Sequence, residues 1–194
     1  MNDLAQLLRQ ALPEVVKQFN QQVLPALETQ VWRRSARQMF SAIRTDQISV
    51  EKSKQFNWPI NNLLIDTVNQ QAGTPVLEDT QDRGQDLIYL PTRTPIEDKN
   101  TFGSGSGWTG NGFDKTDWHL LKKFHTNEDC RIVDGFACLV DLSKTVSRWG
   151  DKNGKQRVGL NLASADRDHI IVIWGSLECK RKWAKPVAKE FYCD

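Results

Sequence analysis

Residues 84–112 read GQDLIYLPTRTPIEDKNTFGSGSGWTGNG, and the interpretation of the whole chain turns on them. Asp86 opens a short apolar run, Leu87 to Leu90. A Pro-Thr-Arg-Thr-Pro turn follows, and a second extended run begins at Ile96-Glu97-Asp98-Lys99. Counting outward from the turn, Asp86 falls roughly opposite Glu97 in a hairpin, where facing side chains lie ~5 Å apart. Side chains alternate along a strand, so Glu97 and Lys99 share one face and Asp98 points to the other. Two carboxylates and one ammonium then converge on one side of a sheet.

That constellation suits metal-dependent phosphodiester hydrolysis. Mg²⁺ prefers oxygen ligands and takes one or two protein carboxylates while keeping several waters. A bound cation lowers the pKa of a water and offsets charge in the transition state. A lysine two residues from a metal-binding glutamate can orient that water or neutralise the attacked phosphate. The pattern Asp86…Glu97-Asp98-Lys99 resembles the PD-(D/E)xK nucleases, and most of all the type II restriction endonucleases. Gln85 stands where that motif often has Pro. The resemblance implies Asp86, Glu97 and Lys99 as catalytic residues. Asp86, Glu97 and the Asp98 carbonyl would be metal ligands, and Mg²⁺ the cofactor.

A second acid-x-Lys triplet, Glu178-Cys179-Lys180, has Asp168 ten residues upstream and makes a rival triad. It runs into Lys182 and Lys185, which reads more simply as a solvated or phosphate-facing basic helix. The first triad has a further mark. It continues into Gly103-Ser104-Gly105-Ser106-Gly107-Trp108-Thr109-Gly110-Asn111-Gly112, with five glycines in ten residues. Such a run lets backbone approach a ligand closely. Trp108, Phe113 and Trp118 are unexpected in a mere linker. An acid-x-Lys strand followed by a small-residue loop and Trp-Thr-Gly-Asn also resembles restriction endonucleases. By that resemblance Ser104, Ser106, Trp108, Thr109, Asn111 and Lys115 are DNA-contact candidates, in a loop spanning 103–115.

The rest of the chain bounds this reading. A length of 194 residues suits one domain with a sizeable core. No apolar run approaches the ~18 residues of a membrane span. The N-terminus lacks a signal peptide's basic start and apolar core, so a cytoplasmic location is expected. A net charge of +2 does not by itself establish nucleic-acid binding. Cys130, Cys138, Cys179 and Cys193 form no CxxC pair and no Cys/His zinc spacing, so reduced thiols are expected. His119, His125 and His169 assemble into no motif, and neither a P-loop, a GxSxG nor a Rossmann fingerprint is present.

Residues 1–72 read as mainly helical. Leu4, Leu7, Leu8, Ala11 and Leu12 repeat at helical spacing, Pro13 starts or kinks the next segment, and the pattern continues to Pro25. A third helix is expected from about Leu27 to Ile43, carrying Arg33, Arg34 and Arg37, and a fourth from Pro59 to Gln71. Asp66 on that fourth helix, or Glu78 or Asp79 in a short strand over 76–80, would be an additional acid near the metal. WHLLKKF (118–124) reads as a strand or a helical turn, and FACLVDL (136–142) as a strand. Asn153-Gly154 marks a hairpin turn, and the 144–157 arm around it carries Lys144, Arg148, Lys152, Lys155 and Arg157. Lys152 and Lys155 are its DNA-contact candidates, a solvated turn being the plainer alternative. Val158 to Leu162 and His169 to Trp174 read as strands, the second so apolar that a central place is expected.

The expected fold is a single α/β domain, 1–194. A helical portion packs on a mixed central β-sheet flanked by helices, with the catalytic hairpin at one end of the sheet and the sheet portion spanning 73–194. The resemblance implies a restriction endonuclease-like arrangement and Mg²⁺-dependent cleavage of double-stranded DNA at a short palindrome. It also implies a homodimer, with the N-terminal helices as dimerisation candidates, and a cognate DNA methyltransferase. The alternatives are a repair, junction-resolving or homing nuclease of the same fold, a non-catalytic DNA-binding module, or a protein-interaction domain.

Overall fold

The computed structural model describes residues 1–28, 45–80, 86–102, 108–110, 118–127, 130–141, 148–149, 158–160 and 167–175. Its centre is a six-stranded mixed sheet, ordered β1-β2-β3-β5-β6-β9. These strands are β1 (Leu77–Asp79), β2 (Leu87–Tyr89), β3 (Thr94–Phe102), β5 (Trp118–Thr126), β6 (Ile132–Asp141) and β9 (Ile170–Trp174). All neighbouring pairs are antiparallel except β3 and β5, which run parallel from Ile96↔Trp118 to Phe102↔Phe124. A parallel pair requires a long crossover, and residues 103–117 supply it. On the way they contribute β4 (Trp108–Gly110) to a second sheet, ordered β4-β8-β7, with β7 (Arg148–Trp149) and β8 (Val158–Leu160).

Helices cover one face of the large sheet. α1 (Asn2–Gln18) buries Leu4, Ala5, Leu8, Ala11, Leu12 and Val15, the stripe its periodicity predicts. α1 runs through Pro13 into a π-helical turn (Phe19–Val23) and then α2 (Leu24–Glu28). The wide turn has a local cause. Pro25 has no N–H to donate, and the Leu24 N–H just before it reaches back to the Phe19 carbonyl. α3 (Thr45–Ala72) turns Phe56, Ile60, Leu64 and Val68 toward the sheet. Pro59 lies inside this helix instead of starting it, which frees one carbonyl a turn earlier but leaves the helix continuous. The expected third helix lies almost wholly outside the described residues, as do Arg33, Arg34 and Arg37.

The core is organised by a row of rings: Phe19–Phe56 at 5.1 Å, Phe56–Phe102 at 5.6 Å, Phe102–Phe124 at 5.3 Å and Phe124–Trp174 at 6.1 Å between centroids. It joins the π turn, α3, β3, β5 and β9, and so fixes β3 against the helices. Gly135 makes room for its last member, since a Cβ there would collide with the Trp174 ring and the Lys123 carbonyl. Two asparagines finish the frame by imitating a strand neighbour. Asn20 exchanges hydrogen bonds with the Ile132 N–H (2.8 Å) and C=O (2.7 Å). Asn69 receives the N–H groups of Val76 and Leu77 and donates to the Leu77 carbonyl.

WHLLKKF proves to be strand throughout. Residues 136–141 of FACLVDL are the second half of a longer strand, β6, and Val158–Leu160 forms β8. β9 is placed differently from the expectation: among the described residues it is an edge strand, not a central one. Its apolar character comes from packing beneath α1, and Arg9 Nε of that helix bonds the Val172 carbonyl at 2.9 Å. A helix covering an edge is one of the ways a sheet avoids open-ended pairing. No helix among the described residues is long and apolar enough to cross a membrane.

Candidate active site

The hairpin turn sets the site. Leu90 to Arg93 closes with an Arg93 N–H bond to the Leu90 carbonyl at 3.2 Å, and Pro91 pre-sets φ at the turn's second position. Arg93 adopts a positive φ of 53°, which lets the chain re-enter the sheet as β3. The resulting register pairs Leu87 with Ile96, so the next step outward sets Asp86 beside Glu97. This is the arrangement expected from counting along the sequence.

Lys99 gathers the two acids. Its Nζ is ion-paired with Glu97 Oε1 and lies 3.6 Å from Asp86 Oδ2. Asp86 is held further by the Asp98 N–H, which donates to Oδ2 at 2.9 Å. Exposure grades across the cluster: the Glu97 side chain is 2% exposed, Lys99 19% and Asp86 44%. The site is thus a buried carboxylate with a lysine and a second carboxylate opening toward solvent.

The Asp98 side chain lies on the helix side, where Lys122 Nζ meets Oδ1 at 2.9 Å and Oδ2 at 3.0 Å. It is therefore no ligand for anything bound between Asp86 and Glu97. Its backbone is different. In a strand the N–H and C=O of one residue face the same neighbour, so the Asp98 carbonyl lies on the Asp86 side of β3. Burial pushes the Asp98 carboxyl above the ordinary range, while Lys122 pulls it back.

Among the additional acids, Glu78 pairs with Ile88 and so shares the face of Asp86, whereas Asp79 pairs with Leu87 on the helix face. Asp66 stands exposed on α3. The parallel β3–β5 pairing brings in residues that reading the sequence passed over. His119, fully buried, is the register partner of Glu97, and Lys123, also fully buried, is that of Thr101. Burial lowers Lys123 to about 8. Nothing local marks either residue, because parallel partners lie far apart in sequence and only the assembled sheet joins them.

Trp108 and Thr109 lie in β4, which pairs with β8 (Trp108↔Leu160, Thr109↔Gly159), and β7 pairs with β8 on its other side. The two segments marked for DNA contact, 103–115 and 144–157, are therefore tied into one sheet. Ser104, Ser106, Asn111, Lys115, Lys152 and Lys155 lie outside the described residues, as do Glu178 and Lys180 of the rival triad. Asp168 of that triad stands exposed in a short 3₁₀ turn (Arg167–His169).

The donor set fits a hard divalent cation in one respect that the structure displays: two carboxylates converge on one cation, the Lys99 ammonium. Among the described residues no group of three or more His, Cys, Asp or Glu side chains gathers at metal-binding spacing. Mg²⁺ needs only one or two carboxylates, the remaining positions being water or carbonyl oxygen. Comparison with protein-family models, with curated proteins and with solved structures finds no match. The functional reading rests on this chain's own chemistry.

Proposed function

We propose that the protein is a Mg²⁺-dependent endonuclease acting on double-stranded DNA, with Asp86, Glu97 and Lys99 as its catalytic residues. One observation carries this reading: the hairpin register sets Asp86 beside Glu97, and Lys99 touches one and approaches the other. Strand alternation and the hairpin register together bring two acids and a lysine from two strands onto one face, which is the arrangement this chemistry requires.

Asp86 and Glu97, with the Asp98 carbonyl, are the groups that would hold the metal. When bound, Mg²⁺ would acidify a coordinated water and offset charge on the phosphoryl oxygens. Lys99, released from its pairing with the acids, orients the attacking water or neutralises the scissile phosphate. Glu97 is buried in β3. Asp86 is accessible, as a group that meets an incoming phosphodiester has to be. The β4-β8-β7 sheet joins the two segments proposed to grip DNA, so phosphate-facing lysines and loop side chains would act as one surface.

Within this class, the site-specific cutting of a palindrome by a homodimer, as in type II restriction enzymes, is the form the sequence resemblance favours. A cognate methyltransferase is part of that proposal. Purified protein incubated with plasmid or phage DNA in Mg²⁺ and in EDTA tests it. Discrete, Mg²⁺-dependent bands that vanish in Lys99→Ala are expected. Structure-dependent nicking would move the protein to repair or junction processing, and the absence of cutting on varied DNAs would overturn the enzymatic reading.

A further inference from the structure

On the helix side of β3 lies a polar cluster, buried at its ion pair, that the nuclease reading does not use. Lys122 and Asp98 are both completely buried, with Nζ 2.9 Å from Oδ1. Asn61 of α3 accepts from Lys122 Nζ at 3.0 Å and from Asn100 Nδ2 at 2.9 Å. Asn100 Nδ2 also approaches Asp98 Oδ2 at 3.5 Å. One residue joins this cluster to the site. The Asp98 carboxylate is clamped from the helix side, while its N–H holds Asp86 at 2.9 Å.

We infer that Asp98 is a positioning residue: the buried Lys122–Asp98–Asn61 clamp fixes the peptide at residue 98 and through it the Asp86 carboxylate. A core position on a central strand would ordinarily be apolar, as Ile96 and Phe102 on the same face of β3 are. A buried ion pair is weak evidence for stability, because an apolar pair of similar volume often serves as well. What an apolar pair does not supply is a directional anchor shared by β3, β5 and α3. Asp86 has such need of one: it sits just outside β2, half exposed, and the Asp98 N–H holds it from the backbone.

The inference rests on Asp86 belonging to the site, but its test does not depend on DNA cleavage. In Asp98→Leu/Lys122→Met both charges are gone, so the variant is expected to fold. Amide hydrogen exchange at residue 98 should then speed up by about tenfold or more, while the other β3 amides stay protected. Where the wild-type protein cuts DNA, kcat should fall by roughly 10²-fold with KM nearly unchanged, the signature of a displaced catalytic group. An unaltered residue-98 amide in the folded double variant would overturn the inference. Should that variant not fold, Asn61→Ala, which keeps the ion pair but removes its third member, is read the same way. A several-fold faster residue-98 exchange supports the clamp, and none overturns it. If wild-type protein never cuts DNA, the nuclease reading fails by itself and the exchange result still decides the clamp.

Discussion

The two faces of β3 carry nearly the same chemistry to different ends. On the helix face Asp98 pairs with Lys122, and both are wholly buried. On the other face Glu97 pairs with Lys99, and a third group, Asp86, stands 44% exposed beside them. An acid–lysine pair sealed from water has no work to do on a ligand. The same pair with one open side can exchange its internal cation for an external one. Access separates the structural pair from the catalytic candidate, and the alternation of one strand creates both.

The largest expected effect breaks the exposed face. Glu97→Gln keeps shape and removes the charge, and Mg²⁺-dependent cleavage should fall by about three orders of magnitude. Its circular dichroism and urea midpoint should stay close to wild type. An active Glu97→Gln protein would mean that the two faces do not differ in the way described.

The sealed face should answer in stability. Lys122→Met alone leaves the Asp98 carboxylate buried without its ammonium, and urea unfolding should show a loss of about 3–5 kcal/mol. Adding Asp98→Leu should recover most of it. No recovery would show that Lys122 matters through packing and not charge.

A third test contrasts Lys122 with its neighbour Lys123, which points to the opposite face. Lys123 titrates at about 8 when folded against an ordinary 10.5. Below pH 8 both states hold the proton, and stability does not vary with pH on its account. Between those values the unfolded chain holds a proton that the folded one has lost, so stability rises with pH. Relative to Lys123→Met, wild type should gain roughly 3 kcal/mol from pH 8 to 10.5. Parallel stability curves for the two proteins would refute this.

The smallest effect belongs to the periphery of the clamp. Asn61→Ala removes one acceptor of Lys122 and should cost about 1–2 kcal/mol by denaturant titration.

The part of this that local sequence carried was the hairpin. Pro91 and the turn around it set the register, and alternation then sorted Glu97 and Lys99 from Asp98, so the triad was legible before any fold was known. The helical stripe of α1 was legible for the same reason, its signal being a short-range period. What pairs at long range was not. Lys122 and Lys123 looked like two more cations in WHLLKKF, because only the parallel partnership with β3 shows one facing Asp98 and the other the opposite side. Nothing local marks Asn61 either, since its partners are on β3 and β5. β9 misled through composition, since a strand at the edge among the described residues, covered by a helix, is as apolar as a central one. Pro59 misled in the same manner, because proline marks a helix start only when the preceding residues are not already held in a helix.

The placement of β4 has a mechanical consequence. It interrupts the crossover that joins the two parallel strands, so the small sheet is leashed at both ends to the strands that carry Glu97, Lys99 and His119. From Phe102 to Trp108 the chain spans at most about 21 Å when fully stretched. A ligand that tugged the small sheet would therefore pull on β3 before the sheet could travel far, and under the proposed function this short tether would couple grip to cut.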